Sequence, residues 1–376
     1  MKIFIYILIA TVSAAVFIIP VSASEHAEAY VLIEAETGEI LLSRNENEQF
    51  PISSLAKIMT LLIIAEELEA GNITLADSVP APAGVMDMKA PVIWLNPGEV
   101  MPLGELVKAV IISSANDATL AIAEYIAGSG EKFAAFMNER AAELGMENTF
   151  FADPGGFTEE TVSTARDVAV MTAALFNDGM HNSFGNYFTT RLSEVRKGTE
   201  RETQLVNTNR IAQQYEGILG GKAARLSLAN CAERGGMRLV AVVLGAKDED
   251  VRDNLCTELL DTGFENFEYF EPETDALSLP PVSILRGVEK SVAVAPAIPV
   301  RFISHRDEAD GAVFEAEFGA SESIEAPVET GQVLGRFTVR LGDKVVFECD
   351  IVAVHCIEKL TFKKSLEFMT KGFFGC

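Results

Sequence analysis

Histidine, tryptophan and cysteine are scarce in this chain, and each shortage narrows the chemistry open to it. Four histidines occur among 376 residues, at His26, His181, His305 and His355. No serine lies in a G-x-S-x-G setting that one of them could serve, which argues against a serine–histidine–aspartate triad. The five cysteines (Cys231, Cys256, Cys349, Cys356 and Cys376) are scattered and odd in number. None belongs to a C-x-x-C pair or a Cys/His cluster, so nothing points to zinc, and they read as mostly buried thiols. Cations are short as well: 30 Lys and Arg against 55 Asp and Glu leave a net charge of −25. That balance repels phosphates and excludes nucleic acid as a partner. It fits a solvated surface outside the cytoplasm.

Long apolar runs are confined to the start. Lys2 precedes an apolar stretch from Ile3 to Ile19, which ends in Pro20-Val21-Ser22-Ala23, a small-residue cleavage pattern. Residues 1–23 therefore read as a signal peptide cut after Ala23. The alternative is an uncleaved anchor, for which the run is short. Export is the expectation. The hydrophobic content of 48% is ample for two domains.

What the chain does contain is a serine and a lysine three residues apart, in Pro51-Ile52-Ser53-Ser54-Leu55-Ala56-Lys57. They enter an apolar run that predicts a helix over 54–69. Positions i and i+3 share a helix face, so hydroxyl and amine can meet. A helix start also favours developing negative charge. Held neutral by burial or a second cation, Lys57 becomes a base for Ser54 without histidine. Alone, the same spacing also suits a serine N-cap beside a surface lysine. Downstream, Ser114-Ala115-Asn116 offers a hydroxyl and an amide between two predicted helices, one starting at Leu103 and one running to about Ala127; an N-cap with an adjacent amide is the plainer account. Gly220-Gly221-Lys222 leads into a strand. Trp94 lies in a loop-rich stretch over 80–100, where packing accounts for it more simply than a cleft.

The order of elements is a strand pair over 29–43, many helices, a strong strand Met237–Ala246 and a last helix over 250–262. It predicts an α/β domain, a mixed sheet flanked by helices, over 24–273. From 274 to 356 short alternating segments separated by turns predict an all-β sandwich. The tail over 357–376 carries Phe362, Leu366, Met369 and Phe373 at helical spacing, with Lys359, Lys363, Lys364 and Lys371. It reads as an amphipathic helix on a membrane surface rather than one docked on its own domain.

Ser54-x-x-Lys57, Ser114-x-Asn116 and Lys222, in that order, resemble the penicillin-binding proteins and serine β-lactamases. The chain is more similar still to the low-molecular-mass D-alanyl-D-alanine carboxypeptidases, peptidase family S11. Ile33-Glu34-Ala35-Glu36-Thr37-Gly38, Leu144 through Thr149, Ser163 through Asp167, Asn207-Thr208-Asn209 and Ala326 through Gln332 carry that likeness. The resemblance implies a transpeptidase-like fold and no cofactor or metal. It implies Ser54 as nucleophile, Lys57 as base, Ser114 as proton relay, and Asn116 and Lys222 on the substrate. Asn116 would also orient Lys57. The backbone N–H groups of Ser54 and Arg225 would form the oxyanion hole. The implied partners are a peptidoglycan stem peptide ending in D-Ala-D-Ala and β-lactams that acylate Ser54. Where the family has Lys-Thr-Gly, this chain has Lys222-Ala223-Ala224, then Arg225 and Leu226; Cys231 arrives about a residue early, and Thr161 stands where a histidine is frequent. An impaired, binding-only relative is therefore a second expectation, and a β-lactamase a third.

Overall fold

The computed structural model describes residues 4–8, 27–271, 279–306, 312–318, 323–362 and 364. The chain divides into two compact units, one of residues 19–265 and one combining 1–18 with 266–376.

In the first unit five strands hydrogen-bond in the order Ile218–Ala223, Leu228–Arg234, Met237–Ala246, Ala27–Glu34 and Ile40–Arg44. Every pairing is antiparallel. The unbroken apolar run Leu239–Leu244 has a direct cause, since both faces of this sheet are covered. Side chains alternate across the pleat. Val31, Ile33, Val240 and Val242 enter the main apolar cluster with α1 (Lys57–Glu69) and α5 (Ala165–Phe176). Leu32 and Leu239 point the other way, towards α6 (Glu249–Asn266), where the missing side chain of Gly263 makes room for both.

Helix α1 is buried throughout its first half, from Lys57 to Ala65. A helix apolar on every side belongs inside a core, and α1 packs against α5. Around it lie α2 (Leu103–Ser113), α3 (Asn116–Ala127) and α4 (Gly130–Glu143). The segment carrying Ser54 differs from the predicted helix over 54–69 in one respect: Ser53–Ala56 is a tight 3-10 turn, and the α-helix starts at Lys57. The hairpin Leu192–Val195 with Thr203–Val206 was not expected from the sequence.

The second unit is built of strands. Its largest sheet holds Phe4–Leu8, Ala312–Phe318, Val333–Leu341, Lys344–Ala353 and Val294–Pro296, in that order. Two small apolar clusters hold it together, one around Phe302, Phe337 and Ile351 and one around Val282, Leu334 and Ile357. Of the expected signal peptide only Phe4–Leu8 is described, as an edge strand beside Ala312–Phe318. The rest of 1–23 lies outside the described residues. Residues 357–360 close the β-unit: Ile357 pairs with Val328, Lys359 bridges Gly287, and Ile357 is 1% exposed. Leu366, Met369 and Phe373 of the expected amphipathic helix lie outside the described residues. Among those described, no helix is long and apolar enough to cross a membrane.

Candidate active site

Ser54 sits half-buried in the 3-10 turn, and its Oγ lies 3.3 Å from Lys57 Nζ. The plain account of a capping serine and a surface lysine fails on both counts. Neither the turn nor α1 has a side-chain cap, and Lys57 is fully buried. Burial pushes the Lys57 amine down from 10.5 to about 7, against the opposing pull of Asp153. Its other contacts come from the loop after α4: Nζ donates to the Gly155 carbonyl at 2.9 Å and lies 5.5 Å from the Phe157 ring.

That loop owes its shape to Asp153, whose carboxylate accepts from the Gly155, Phe157 and Thr158 amides. Gly156 is there for steric reasons. At φ 67° a Cβ would fall 1.9 Å from the Ser53 carbonyl oxygen, so only glycine lets the loop lie against the Ser53–Ala56 turn. Thr161 is wholly buried, donates to Asp153 and accepts the Ala152 amide; it braces the loop. The sequence marked Asp153-Pro154-Gly155-Gly156 only as a break between helices and missed its role at Lys57. An aspartate followed by two glycines was the available signal.

The second wall comes from α2 and α3. Ser114 is the C-cap of α2 in the left-handed region, at φ 61°, not the N-cap of α3, which is Ala115. This conformation turns the chain sharply between the helices. Ser114 Oγ is buried without a hydrogen-bond partner among the described residues, and so is Asn116 Oδ1. Asn116 Nδ2 donates to the Lys89 carbonyl, 2.8 Å away, and its backbone N–H to Pro91. The expected bond from Asn116 to Lys57 is not made; the Gly155 carbonyl takes that place.

Lys222 lies on the edge strand Ile218–Ala223, which runs beside the Ser53–Ala56 turn. Its side chain is buried, and Nζ donates to the carbonyls of Val110 (2.7 Å) and Ile111 (3.0 Å). These are last-turn carbonyls of α2, at the negative end of the helix. Burial, with Lys57 nearby, pushes Lys222 well below the ordinary lysine value. The two carbonyls work the other way and favour its cation. The strand ends at Ala223. Arg225 is not on it but in the hairpin turn 224–227, which closes with Ala224 N–H on the Ser227 carbonyl at 2.8 Å. From behind, Arg252 of α6 donates to the Ala224 and Arg225 carbonyls.

A serine 3.3 Å from a buried lysine thus lies beside the edge strand that carries a second buried lysine, whose amine holds the end of the helix capped by Ser114. The sequence profile described as D-alanyl-D-alanine carboxypeptidase matches residues 18–248. That of the penicillin-binding protein 5 C-terminal domain matches 267–359. The D-alanyl-D-alanine carboxypeptidase DacF of Bacillus subtilis is 34% identical over 345 residues, 90% of this chain and 88% of that protein. DacC of Escherichia coli is 29% identical over 89% of this chain and 85% of its own length. Penicillin-binding protein 5 of Haemophilus influenzae shares the fold at a TM-score of 0.78, over 89% of this chain and 98% of that one, with 24% identity. On the extent of these matches, the chain belongs to the D-alanyl-D-alanine carboxypeptidase family.

Proposed function

We propose that the chain is a serine-type D-alanyl-D-alanine carboxypeptidase that removes the terminal D-alanine of peptidoglycan stem peptides through a Ser54 acyl-enzyme. The observation that carries this is a fully buried Lys57 amine, with a pKa of about 7, 3.3 Å from Ser54 Oγ. A neutral amine donates to Gly155 and still offers its lone pair to the Ser54 hydroxyl. Ser54 Oγ attacks the carbonyl of the penultimate residue, and its proton passes to Lys57. The carbonyl oxygen takes the negative charge at the N-terminal end of the turn, facing backbone N–H groups. When the carbon–nitrogen bond breaks, Ser114 relays the proton from Lys57 to the departing amine, which returns Lys57 to its neutral form. Water then cleaves the ester. Lys222, whose amine donates to two carbonyls at the end of α2, faces the substrate carboxylate and takes its proton as that anion arrives. Asn116 Oδ1 awaits a substrate amide.

The direct test is D-alanine release from diacetyl-lysyl-D-alanyl-D-alanine, alongside covalent labelling by a fluorescent penicillin. Turnover with label on Ser54 is expected. Label without turnover would instead support the impaired relative. The observation favouring that second reading is the strand's end at Ala223, directly before the turn. Export by residues 1–23 and membrane association through the tail belong to the same proposal. Removing residues 361–376, which leaves the Ile357–Val328 pairing intact, is expected to release the protein from anionic vesicles. Undiminished vesicle binding would rule out the tail as anchor.

A further inference from the structure

Trp94 is the one tryptophan of the chain and is 69% exposed, so the packing role expected from the sequence is excluded. Its φ is 54°, a left-handed conformation that a bulky residue adopts only where its surroundings impose it. Here they do. The Asp117 carboxylate accepts the N–H groups of Ile93 (3.0 Å) and Leu95 (2.9 Å), on either side of Trp94. Arg196 Nη1 donates to the Ile93 carbonyl at 3.0 Å, and Arg201 to that of Trp94. Ile93 and Leu95 are buried. The backbone is pinned inward on both sides, and the indole is held outward in water.

Beside the indole lies a cavity of about 420 Å³, lined by Ile93, Trp94, Arg196, Arg201, Glu202 and Gln204. Its two arginines are not free cations, because both pair with Glu99. The lining combines an aromatic face with a charge-balanced rim of donors and acceptors. Such a surface suits a ring with an apolar C–H face and polar substituents around its edge. The same loop reaches the reaction centre, since Lys89 and Pro91 hold Asn116, and Asp117 follows it.

We propose that Trp94 and this cavity form a glycan subsite for an N-acetylated hexosamine ring of the polymer whose peptide arm enters the Ser54 site. The inference rests on the carboxypeptidase reading and adds a sugar contact to it. The pinned loop 89–95 then serves sugar and peptide at its two ends.

Because Trp94 is the lone tryptophan, fluorescence of the full chain excited at the red edge of the indole band, beyond tyrosine absorption, reports on this site alone. Titration with a β-1,4-linked N-acetylglucosamine tetramer is expected to give a saturable change, weakened by Gln204→Ala. No saturable change overturns the proposal. The second arm compares kcat/KM for a disaccharide-linked stem peptide with that for the free peptide. Trp94→Ala is expected to lower this ratio about tenfold, an ordinary cost for losing an aromatic contact. An equal fall on both substrates would make Trp94 a loop-positioning residue and overturn the subsite. If neither substrate turns over, the carboxypeptidase reading falls while the titration still decides the subsite.

Discussion

The helical wall of the site, Ser53–Glu69 with the 153–157 loop, and its strand wall, Ile218–Ala223 with the turn after it, differ in what each is built to do. On the helical wall every feature converges on one proton. Gly156 lets the loop close on Ser53, Asp153 shapes it, and Gly155 fixes the amine of a fully buried Lys57. On the strand wall the lysine is kept, as Lys222 on the end of α2, but Ala223 and Ala224 present no hydroxyl and the strand stops at Ala223. On the proposed reading, bond-making and substrate grip are separable: the helical wall holds serine and buried lysine together, while the strand wall lacks the hydroxyl.

The largest effect that tests this separation is loss of the nucleophile. Ser54→Ala is expected to abolish penicillin labelling and to lower turnover by at least ~10⁴-fold, as in other serine acyl-transfer enzymes. Residual labelling would move the nucleophile off the helical wall.

Lys57 comes next, with two linked consequences. As base it must be neutral, so kcat/KM is expected to rise as pH passes about 7 and to level off above. Lys57→Met should lower the plateau by about 10²–10⁴-fold. The same residue burdens the fold. Its folded pKa is depressed, so between about 7 and 10.5 the unfolded chain binds the proton that the native chain does not. The native state therefore gains stability as pH rises through that window and is penalised most below 7. Lys57→Met is expected to raise Tm at pH 6, with the gain fading by pH 10. A variant less stable than wild type at pH 6 would contradict this account of the buried amine.

Restoring the strand wall should help less, but in the informative direction. Ala223→Thr with Ala224→Gly is expected to raise kcat/KM on the D-alanyl-D-alanine peptide by about tenfold to a hundredfold. That is the value of one charge-assisted hydrogen bond to the substrate carboxylate. No gain in a folded variant would mean that the short hairpin, not the missing hydroxyl, limits the strand.

How much of this was legible in the sequence follows from the range of the forces involved. Ser54 and Lys57 were readable because three residues on a helical turn are neighbours by geometry. The strand Met237–Ala246 was readable because a short, β-branched apolar run marks a strand; that both its faces are covered was not. The Gly155 carbonyl was not, because Lys57 reaches it across 98 positions and a backbone oxygen leaves no mark in composition. Nor was the exposure of Trp94, which depends on hydrogen bonds to Asp117 and from Arg201, distant in sequence. Lys222 was placed correctly on a strand. Its grip on the end of α2 needed the fold.

The smallest expected effect concerns what steadies the strand wall from behind. Arg252 is 2% exposed, donates to the Ala224 and Arg225 carbonyls and pairs with Asp253, which also binds Arg210 at 2.6 Å. A guanidinium so held fixes the turn in which Arg225 N–H sits, without itself touching the substrate. Arg252→Gln removes the fork but leaves Asp253 its second arginine, so the fold keeps a compensated carboxylate. Loosening the turn should weaken docking more than bond-making, because Ser54 and Lys57 are anchored on the other wall. The expectation is a KM raised about three- to tenfold, less than a lost charge-assisted hydrogen bond to the substrate itself, because Arg252 acts only through the turn. The kcat is expected to change less, and the pH midpoint to stay near 7, since nothing at Lys57 has moved. Arg252→Lys, which keeps the charge but not the fork, should recover part of the loss. A fall in kcat with KM unchanged would couple the two walls and undo the separation drawn between them.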